Sequence, residues 1–178
     1  MKTLPSMKKY PATGGLKLFE ITLNENEQKL AEYLAKKRWN FNRDKGTPHL
    51  YSGPRPTEQT DVEGMGGELA YCKLMNIYPD LETSPAAMPV YDCVSRFGVR
   101  IDVKTAKHRA GKSLHLIAPL AKAKRPPDKY VLVVGEMPVY SIVGEVWAED
   151  LLQEGNIKDF GYGDCYAIEE SLVNPLMK

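Results

Sequence analysis

The sequence contains little cysteine and histidine, the residues that build disulfide frameworks and zinc sites. Its 178 residues include three of each, namely Cys72, Cys93, Cys165, His49, His108 and His115. The cysteines are odd in number, lie far apart and form no CxxC pair, which predicts small buried hydrophobic side chains. The histidines share no metal-ligand spacing. The sequence therefore predicts neither a disulfide-stabilised scaffold nor a zinc site.

Long apolar runs are also absent, and the N-terminal residues include no apolar signal core. We therefore expect a soluble, cytoplasmic protein that does not enter a membrane. No sign of charge dominates, because 24 lysines and arginines nearly balance 23 aspartates and glutamates, for a formal net charge of +1. This balance neither requires nor excludes nucleic acid as a partner. The hydrophobic content of 43% and charged content of 26% are ordinary for a globular domain.

The N-terminal part of the chain predicts an arm followed by a helix. Residues 1–18 are basic and interrupted by proline and glycine, so we expect a flexible arm that precedes a single domain, residues 19–178. Asn24 is a good N-cap, and Glu27 stands at the position that completes a capping box. We expect the helix that begins there to end near Arg38, where basic residues complement the helix dipole.

A second helix carries an unusual glycine pair. The proline-rich connector 47–60 is expected to be a loop, followed by a helix over 61–77 that is apolar on most sides and therefore buried. Gly66 and Gly67 each cost about 1 kcal/mol relative to alanine inside a helix. We expect that another backbone, or a ligand, closely approaches this turn. Glu68 follows directly, and a carboxylate in such surroundings needs a partner or a cation.

Short apolar runs after this helix predict a β-sheet. The runs 90–94 and 101–104 flank the turn residues 95–98 and predict a hairpin. Further elements are expected as strands at 114–117, 130–134 and 140–146, a short helix at 148–152, and a strand near 166–168. This succession of helices and strands predicts an α/β fold in which helices flank a mixed β-sheet.

Three acidic residues and one lysine fall on these elements. Asp102 and Lys104 lie two positions apart on one strand, so their side chains point to the same face of the sheet. Asp92 lies on the other strand of the hairpin, and Glu68 lies on the second helix. If the four residues converge at an open side of the sheet, they form a site for a divalent cation with a lysine beside it. Such a site suits the hydrolysis of a phosphodiester.

A structural role for the same residues is the alternative. Asp92, Asp102 and Lys104 would then form ion pairs on a solvent-exposed edge strand. Glu68 would pair with Lys73 or Arg100. Charged residues taken one at a time have such roles more often than catalytic ones. The position of Glu68 in an apolar helix, directly after two glycines, favours the catalytic interpretation.

The order of these residues resembles that of the PD-(D/E)XK nucleases, which have the restriction-endonuclease-like fold. A helical Glu68 comes first, Asp92 follows, and Asp102-Val103-Lys104 occupies the D-x-K positions. Residues 64–146 also resemble small phage-encoded members of this superfamily, with their Gly-Gly-Glu helix and Asp-Val-Lys-Thr strand. One departure is that Asp92 follows a tyrosine, so the literal Pro-Asp pair is absent. The resemblance implies a restriction-endonuclease-like core.

The resemblance also implies a metal-dependent site that uses Mg²⁺, with Mn²⁺ able to substitute. Asp92 and Asp102 would supply oxygen ligands, the backbone carbonyl of Val103 another, and Glu68 would bind the metal directly or through a water. Lys104 would orient or deprotonate the attacking water. Neighbouring carboxylates favour its charged form and burial favours its neutral form, so the sequence leaves its protonation state open.

Basic residues follow the motif and indicate contact with nucleic acid. Thr105 and Lys107 lie just past the strand, and Arg109 and Lys112 follow in the next segment. Lys107 has an odd spacing from Lys104, so we expect it to contact a backbone phosphate. A second basic group comprises Lys122, Lys124, Arg125 and Lys129. A solvent-exposed basic loop is the alternative for both groups.

Together these features predict a Mg²⁺-dependent deoxyribonuclease that hydrolyses duplex DNA by attack of an activated water. The glutamine-tyrosine motif of recombination exonucleases is not evident after Lys104, which favours an endonuclease. A homodimer is compatible with this assignment, as is a host-cell cytoplasmic location if the chain is phage-encoded. Two alternatives are a Holliday-junction-type resolvase, which shares the metal site, and a catalytically inactive DNA-binding or interaction module of the same fold.

Overall fold

A computed structural model describes residues 18–44, 57–82, 91–107 and 113–176 of the chain. The helices are α1 (Glu25–Asp44), α2 (Glu58–Met75) and α3 (Ala148–Leu151). The strands are β1 (Phe19–Thr22), β2 (Cys93–Val94), β3 (Arg100–Ala106), β4 (His115–Pro119), β5 (Lys129–Glu136), β6 (Val139–Trp147), β7 (Ile157–Asp159) and β8 (Asp164–Glu169). Short 3-10 helices span Leu120–Lys124, Glu154–Asn156 and Glu170–Leu172.

The strands form two sheets. The larger sheet has the order β1-β6-β5-β3-β2, and the smaller one has the order β4-β8-β7. Strands β3 and β5 are parallel neighbours, whereas the other paired strands of both sheets are antiparallel. The predicted α/β class with a mixed sheet is therefore confirmed.

Both faces of the larger sheet are covered in its middle. The hydrophobic core on one face combines side chains of α1 and α2 with Ile101, Val103 and Val131. The core on the other face combines Tyr130 and Leu132 of β5 with side chains of the smaller sheet and α3. Alternate residues of β5 thus enter different cores, and for this reason β5 is an almost continuous apolar run.

Helix α1 begins as predicted and ends later. The Glu27 N–H donates to Asn24 Oδ1 at 3.0 Å, and the Asn24 N–H donates to Glu27 Oε2 at 2.7 Å, so the capping box is confirmed. The expected end near Arg38 is wrong, because the helix continues to Asp44. No proline or glycine interrupts the segment between these two residues, and Gly46 is the first helix breaker after them.

Helix α2 begins before the predicted Asp61. Thr57 is its N-cap, since the Thr60 N–H donates to Thr57 Oγ1 at 3.2 Å and the Thr57 N–H donates to Thr60 Oγ1 at 3.3 Å. The last residues of the predicted loop 47–60 are therefore helical, while residues 45–56 lie outside the described part. The helix ends at Met75, and Asn76 adopts the left-handed conformation that often terminates a helix.

The later strands and the short helix α3 lie where the sequence predicted them, with small differences at their ends. The hairpin also forms, but the prediction that Asp92 lies on its first strand is wrong, because β2 contains only Cys93–Val94 and Asp92 directly precedes it. Strands β1 and β7 were not predicted. Each is only three or four residues long and shows no alternation of buried and exposed positions. The predicted arm, except for its last residue, lies outside the described residues. The three cysteines are free and buried, as expected. Among the described helices, none has both the length and the hydrophobicity needed to cross a membrane.

Candidate functional site

The hairpin of β2 and β3 places Asp92 beside Asp102 and Lys104. The Asp92 N–H donates to the Ile101 carbonyl at 2.8 Å, and Asp92 Oδ2 accepts from the Val103 N–H at 2.6 Å. The N–H and C=O of one strand residue point the same way, so the Val103 carbonyl points to the side of β3 on which Asp92 lies. The backbone thus brings two carboxylates and one carbonyl to a single region.

Two lysines hold the Asp102 carboxylate. The Lys104 ammonium pairs with Oδ1, and the Lys122 ammonium lies 2.5 Å from Oδ2. Lys104 comes from the same strand, whereas Lys122 comes from the 3-10 helix Leu120–Lys124. The expectation that Asp102 faces an open side of the sheet is wrong. The core under the smaller sheet covers this face, and only 2% of the Asp102 side chain is exposed.

An arginine from α1 holds Glu68. Arg38 Nη1 donates to both carboxylate oxygens, at 3.2 and 3.1 Å, and Nη2 donates to the Asp80 carbonyl at 3.2 Å. The alternative partners considered from the sequence are engaged elsewhere. Lys73 pairs with Glu27 at 2.7 Å, and Arg100 pairs with Asp128 at 2.6 Å.

The three carboxylates influence one another electrostatically. Burial, followed by repulsion from Glu68 and Asp102, holds the pKa of Asp92 well above its usual range. Burial also raises the pKa of Glu68, although the charge and hydrogen bonds of Arg38 oppose this effect. Acidic groups that are both desolvated and mutually repelling favour a neutral form or a nearby cation. Such perturbed carboxylates are frequent at functional sites.

Lys104 is charged in this arrangement. Burial disfavours the ammonium form, but the charges of Asp102 and Asp92 and a hydrogen bond to Asp102 outweigh it and raise the pKa of Lys104. The surrounding carboxylates therefore favour the charged form of Lys104, whose protonation state the sequence left open. With a raised pKa, Lys104 donates hydrogen bonds and carries positive charge at neutral pH, and it has no free electron pair with which to accept a proton.

The glycine pair of α2 allows close packing on the sheet. A Cβ atom at Gly66 would lie 2.0 Å from Tyr140 Oη, and one at Gly67 would lie 2.0 Å from Thr105 Oγ1. The expected approach of a backbone or a ligand is therefore wrong, because side chains of the sheet occupy this space. The packing nevertheless serves the site, since it brings the adjacent Glu68 close to β3.

The oxygen donors of the site suit a hard divalent cation, although Arg38 engages Glu68 and two lysines engage Asp102 in this structure. Among the described residues, no group of three or more histidine, cysteine, aspartate or glutamate side chains is arranged to hold a metal. Carboxylate and carbonyl oxygens are nonetheless the ligands that Mg²⁺ and Mn²⁺ prefer. The Tyr130 hydroxyl is also buried without a hydrogen-bond partner, and Tyr130 is the register neighbour of Asp102. A buried hydroxyl without a partner, on the strand beside Asp102, is a position that a further polar group would satisfy.

The predicted nucleic-acid contacts are only partly brought together. Thr105 Oγ1 is buried against Gly67, so this side chain faces α2 and not the site. Lys107 lies 3.0 Å from Glu136 and 3.7 Å from Glu63 in ion pairs, with its side chain partly exposed. The remaining two predicted contacts, Arg109 and Lys112, lie outside the described residues.

Sequence reasoning missed Arg38 and Lys122 as members of the site. Both belong to basic clusters, which was the available signal, but no pattern indicated their acidic partners. It also missed Glu63, a second buried acid on α2. Glu63 accepts hydrogen bonds from the Met137 N–H at 2.9 Å and from the Tyr140 hydroxyl at 3.0 Å, and these partners give it a structural role.

Comparisons with known proteins do not assign this chain to a family. A scan against protein-family models finds no match for this chain, and a search of curated proteins finds none with significant sequence similarity. The function is therefore inferred from the residues of the site.

Proposed function

We propose that this chain is a metal-dependent DNA endonuclease of the PD-(D/E)XK type, with a restriction-endonuclease-like core. The observation that carries the proposal is the buried Asp102 carboxylate, which lies between two lysines and near two further carboxylates of raised pKa. A folded protein retains such an arrangement at a cost, because each buried charge loses hydration. A catalytic use explains why the cost is tolerated.

Mg²⁺ is the proposed cofactor, and Mn²⁺ would substitute for it. Asp92, Asp102 and the Val103 carbonyl would hold the cation, with Glu68 as a direct or water-mediated partner. When bound, a divalent cation polarises a phosphodiester and lowers the pKa of the attacking water. Arg38 fixes the Glu68 carboxylate at the edge of this site through its two hydrogen bonds.

Lys104 stabilises the negative charge that develops on the phosphorus oxygens and orients the attacking water. Its strand position fixes it on the same face as Asp102. About a quarter of its side chain is exposed, 26%, so a phosphate bound at the entrance of the site would contact this side chain. Preorganised charge of this kind accelerates reactions because it requires no rearrangement during the chemical step.

The substrate is an anionic backbone. The site meets solvent through the side chains of Lys104 and Lys122, which are 26% and 23% exposed, while Asp102 is buried behind them. A positively charged entrance attracts phosphates and disfavours neutral or cationic substrates. The resemblance to DNA-cleaving enzymes favours duplex DNA among substrates with a phosphodiester backbone.

One observation favours a second candidate, a catalytically inactive DNA-binding or interaction module of the same fold. The three carboxylates Glu68, Asp92 and Asp102 are balanced by three cations, namely Arg38, Lys104 and Lys122. These cations supply counter-charge to the buried carboxylates, so the cluster can be stable without a metal. An inactive module would bind DNA or a protein partner, would not respond to Mg²⁺, and would cleave nothing.

A cleavage assay on four substrates tests the proposal. Supercoiled plasmid, linear duplex, single-stranded DNA and a four-way junction are each incubated with the protein in Mg²⁺, in Mn²⁺ and in EDTA. Metal-dependent nicking or linearisation of the plasmid is expected, and EDTA abolishes it. A strong preference for the four-way junction would identify a resolvase instead. If no substrate is cut with either metal, the proposal is contradicted.

A further inference from the structure

Lys122 is the second lysine in contact with the Asp102 carboxylate. The Lys122 ammonium lies 2.5 Å from Oδ2, while Lys104 already pairs with Oδ1. Two ammonium groups on one carboxylate repel each other, which lowers the cost of displacing either of them. The arrangement occupies the oxygens that the proposed metal site requires.

The two lysines differ in how firmly the fold holds them. Lys104 and Asp102 lie two residues apart on β3, which pairs along its length with β5, so the strand itself keeps their side chains together. Lys122 lies in the 3-10 helix between β4 and β5, twenty residues away from Asp102 along the chain. A 3-10 helix has poorer hydrogen-bond geometry than an α-helix, so it fixes its side chains less firmly than a strand within a sheet does.

We infer that Lys122 is a displaceable counter-ion, which holds Asp102 until a divalent cation binds and then transfers to a phosphate of the DNA. This inference rests on the proposed function and adds a residue to it. A lysine suits the role, because its ammonium is a compact charge on a flexible stem. The side chain is 23% exposed, so part of it already lies at the surface that DNA would contact.

This role predicts opposite effects of one substitution on two measurements. Lys122→Met removes the competitor for Asp102, so the metal should bind more tightly. The same change removes a contact to the substrate phosphate, so cleavage should slow. A residue with a merely structural role would weaken both together, because a disturbed site binds metal and substrate less well.

The test compares four forms of the full chain: wild type, Lys122→Met, Lys122→Arg and Lys29→Met. Mn²⁺ binding is measured by titration calorimetry without DNA, and plasmid cleavage is measured at saturating Mn²⁺. Lys122→Met should bind Mn²⁺ at least about threefold more tightly than wild type. It should cleave at least about tenfold more slowly at saturating metal. Lys29 is an exposed lysine of α1, and its variant should match wild type in both measurements.

Lys122→Arg keeps a cation beside the Asp102 carboxylate. It provides a second test of the competition with Mn²⁺ if the Lys122→Met variant folds poorly. It should bind Mn²⁺ no more tightly than wild type, because the guanidinium competes for the same carboxylate. Tighter Mn²⁺ binding by this variant would overturn the inference. Thermal unfolding followed by circular dichroism shows which variants are folded.

The outcomes separate this inference from the proposed function. One outcome is that wild type binds Mn²⁺ and cleaves DNA while Lys122→Met binds Mn²⁺ equally or more weakly. In that case the metal does not displace Lys122 from Asp102, and the nuclease assignment stands. If Lys122→Met binds Mn²⁺ more tightly but cleaves at the wild-type rate, the Lys122 ammonium does not transfer to a phosphate of the DNA. If no form binds Mn²⁺, the proposed function fails and this inference fails with it.

Discussion

Arg38 of α1 and Glu68 of α2 form a two-point contact, in which Nη1 of the arginine donates to both oxygens of the carboxylate at 3.2 and 3.1 Å. Their side chains are only 16% and 11% exposed. The contact joins the two helices at the edge of the candidate site. It also opposes the effect of burial, which would otherwise drive the Glu68 carboxyl further towards its neutral form.

Removing one partner of this contact should be costly. Arg38→Met leaves Glu68 buried without its hydrogen-bonded counter-charge, and we expect the free energy of unfolding to fall by about 3 kcal/mol. Adding Glu68→Gln to that variant should restore part of the loss, because no unpaired charge then remains. Urea unfolding of the two single variants, the double variant and wild type measures this. A loss below about 1 kcal/mol for Arg38→Met would show that the pair is effectively solvent-screened.

The two glycines Gly64 and Gly67 of α2 should respond oppositely to alanine. A Cβ atom at Gly67 would lie 2.0, 3.1 and 3.2 Å from three side-chain atoms of Thr105, so rotating the hydroxyl group away does not relieve the clash. Gly67→Ala should therefore destabilise the chain by about 1–3 kcal/mol. A Cβ atom at Gly64 meets nothing within 4 Å. Gly64→Ala should stabilise it by about 0.5–1 kcal/mol through helix propensity.

Thermal or urea unfolding of both glycine variants checks this pair. The Gly64 variant controls for the intrinsic preference of alanine for a helix. Equal effects of the two substitutions would mean that α2 does not pack closely against β3. In that case Glu68 would not be held near Asp102 as described.

The two buried glutamates of α2 should separate stability from activity. Glu63 accepts hydrogen bonds from the Met137 N–H and the Tyr140 hydroxyl, so Glu63→Gln should lower the free energy of unfolding by about 1–3 kcal/mol. Its cleavage rate per folded molecule should be unchanged. Glu68→Gln should reduce cleavage at least about tenfold, because Glu68 is a proposed partner of the metal. Similar losses of activity in both variants would argue against a special role for Glu68.

The raised pKa of Asp92 predicts a pH dependence of stability in EDTA. The folded chain holds a proton on this group more readily than the unfolded chain, where the pKa is near its ordinary value of 3.8. The stability contributed by the protonated form is fully present below that value and is lost as pH rises through the folded-state pKa. The same sign holds for Glu68.

Asp92→Asn cannot ionise and retains an oxygen that accepts from the Val103 N–H. Its free energy of unfolding should therefore increase relative to wild type as pH rises from about 4 to about 8. Each tenfold difference in the acid dissociation constant between the folded and unfolded chains corresponds to about 1.4 kcal/mol. Urea unfolding across this pH range measures the difference. If the difference is independent of pH, the Asp92 carboxyl is not perturbed by its surroundings.

Sequence patterns predicted the parts of this molecule that depend on neighbours along the chain. The capping box of Asn24 and Glu27 and the shared face of Asp102 and Lys104 follow from spacing alone. The predicted end of α1 is too early, because the basic residues up to Arg38 are typical of a last turn although the first helix breaker after them is Gly46. Strands β1 and β7 are too short to show a period, and they are strands only because β6 and β8 pair with them.

The cationic half of the site could not be predicted, for a physical reason. Arg38 and Glu68 are thirty residues apart in sequence, and Lys122 and Asp102 are twenty apart. Each pair forms because one layer of the fold packs on another, and hydrophobic patterns do not specify which polar residues then meet. The expectation of an open site failed for the same reason, since the smaller sheet that covers Asp102 is assembled from segments later in the chain.

Plasmid cleavage by single-residue variants tests the central claim most directly. The initial rate of metal-dependent cleavage is measured over a Mg²⁺ titration for wild type, Asp102→Asn and Lys104→Ala. Asp150→Asn and Lys29→Ala serve as matched controls, because they change an exposed aspartate of α3 and an exposed lysine of α1. Circular dichroism confirms that each variant is folded.

A nuclease site at Asp102 and Lys104 predicts that both site variants lose at least about 100-fold in rate at every Mg²⁺ concentration. The two control variants should cleave at the wild-type rate. Cleavage by Asp102→Asn and Lys104→Ala at the wild-type rate would show that the chemistry lies elsewhere. Absence of cleavage by folded wild-type protein would show that the charge cluster is structural.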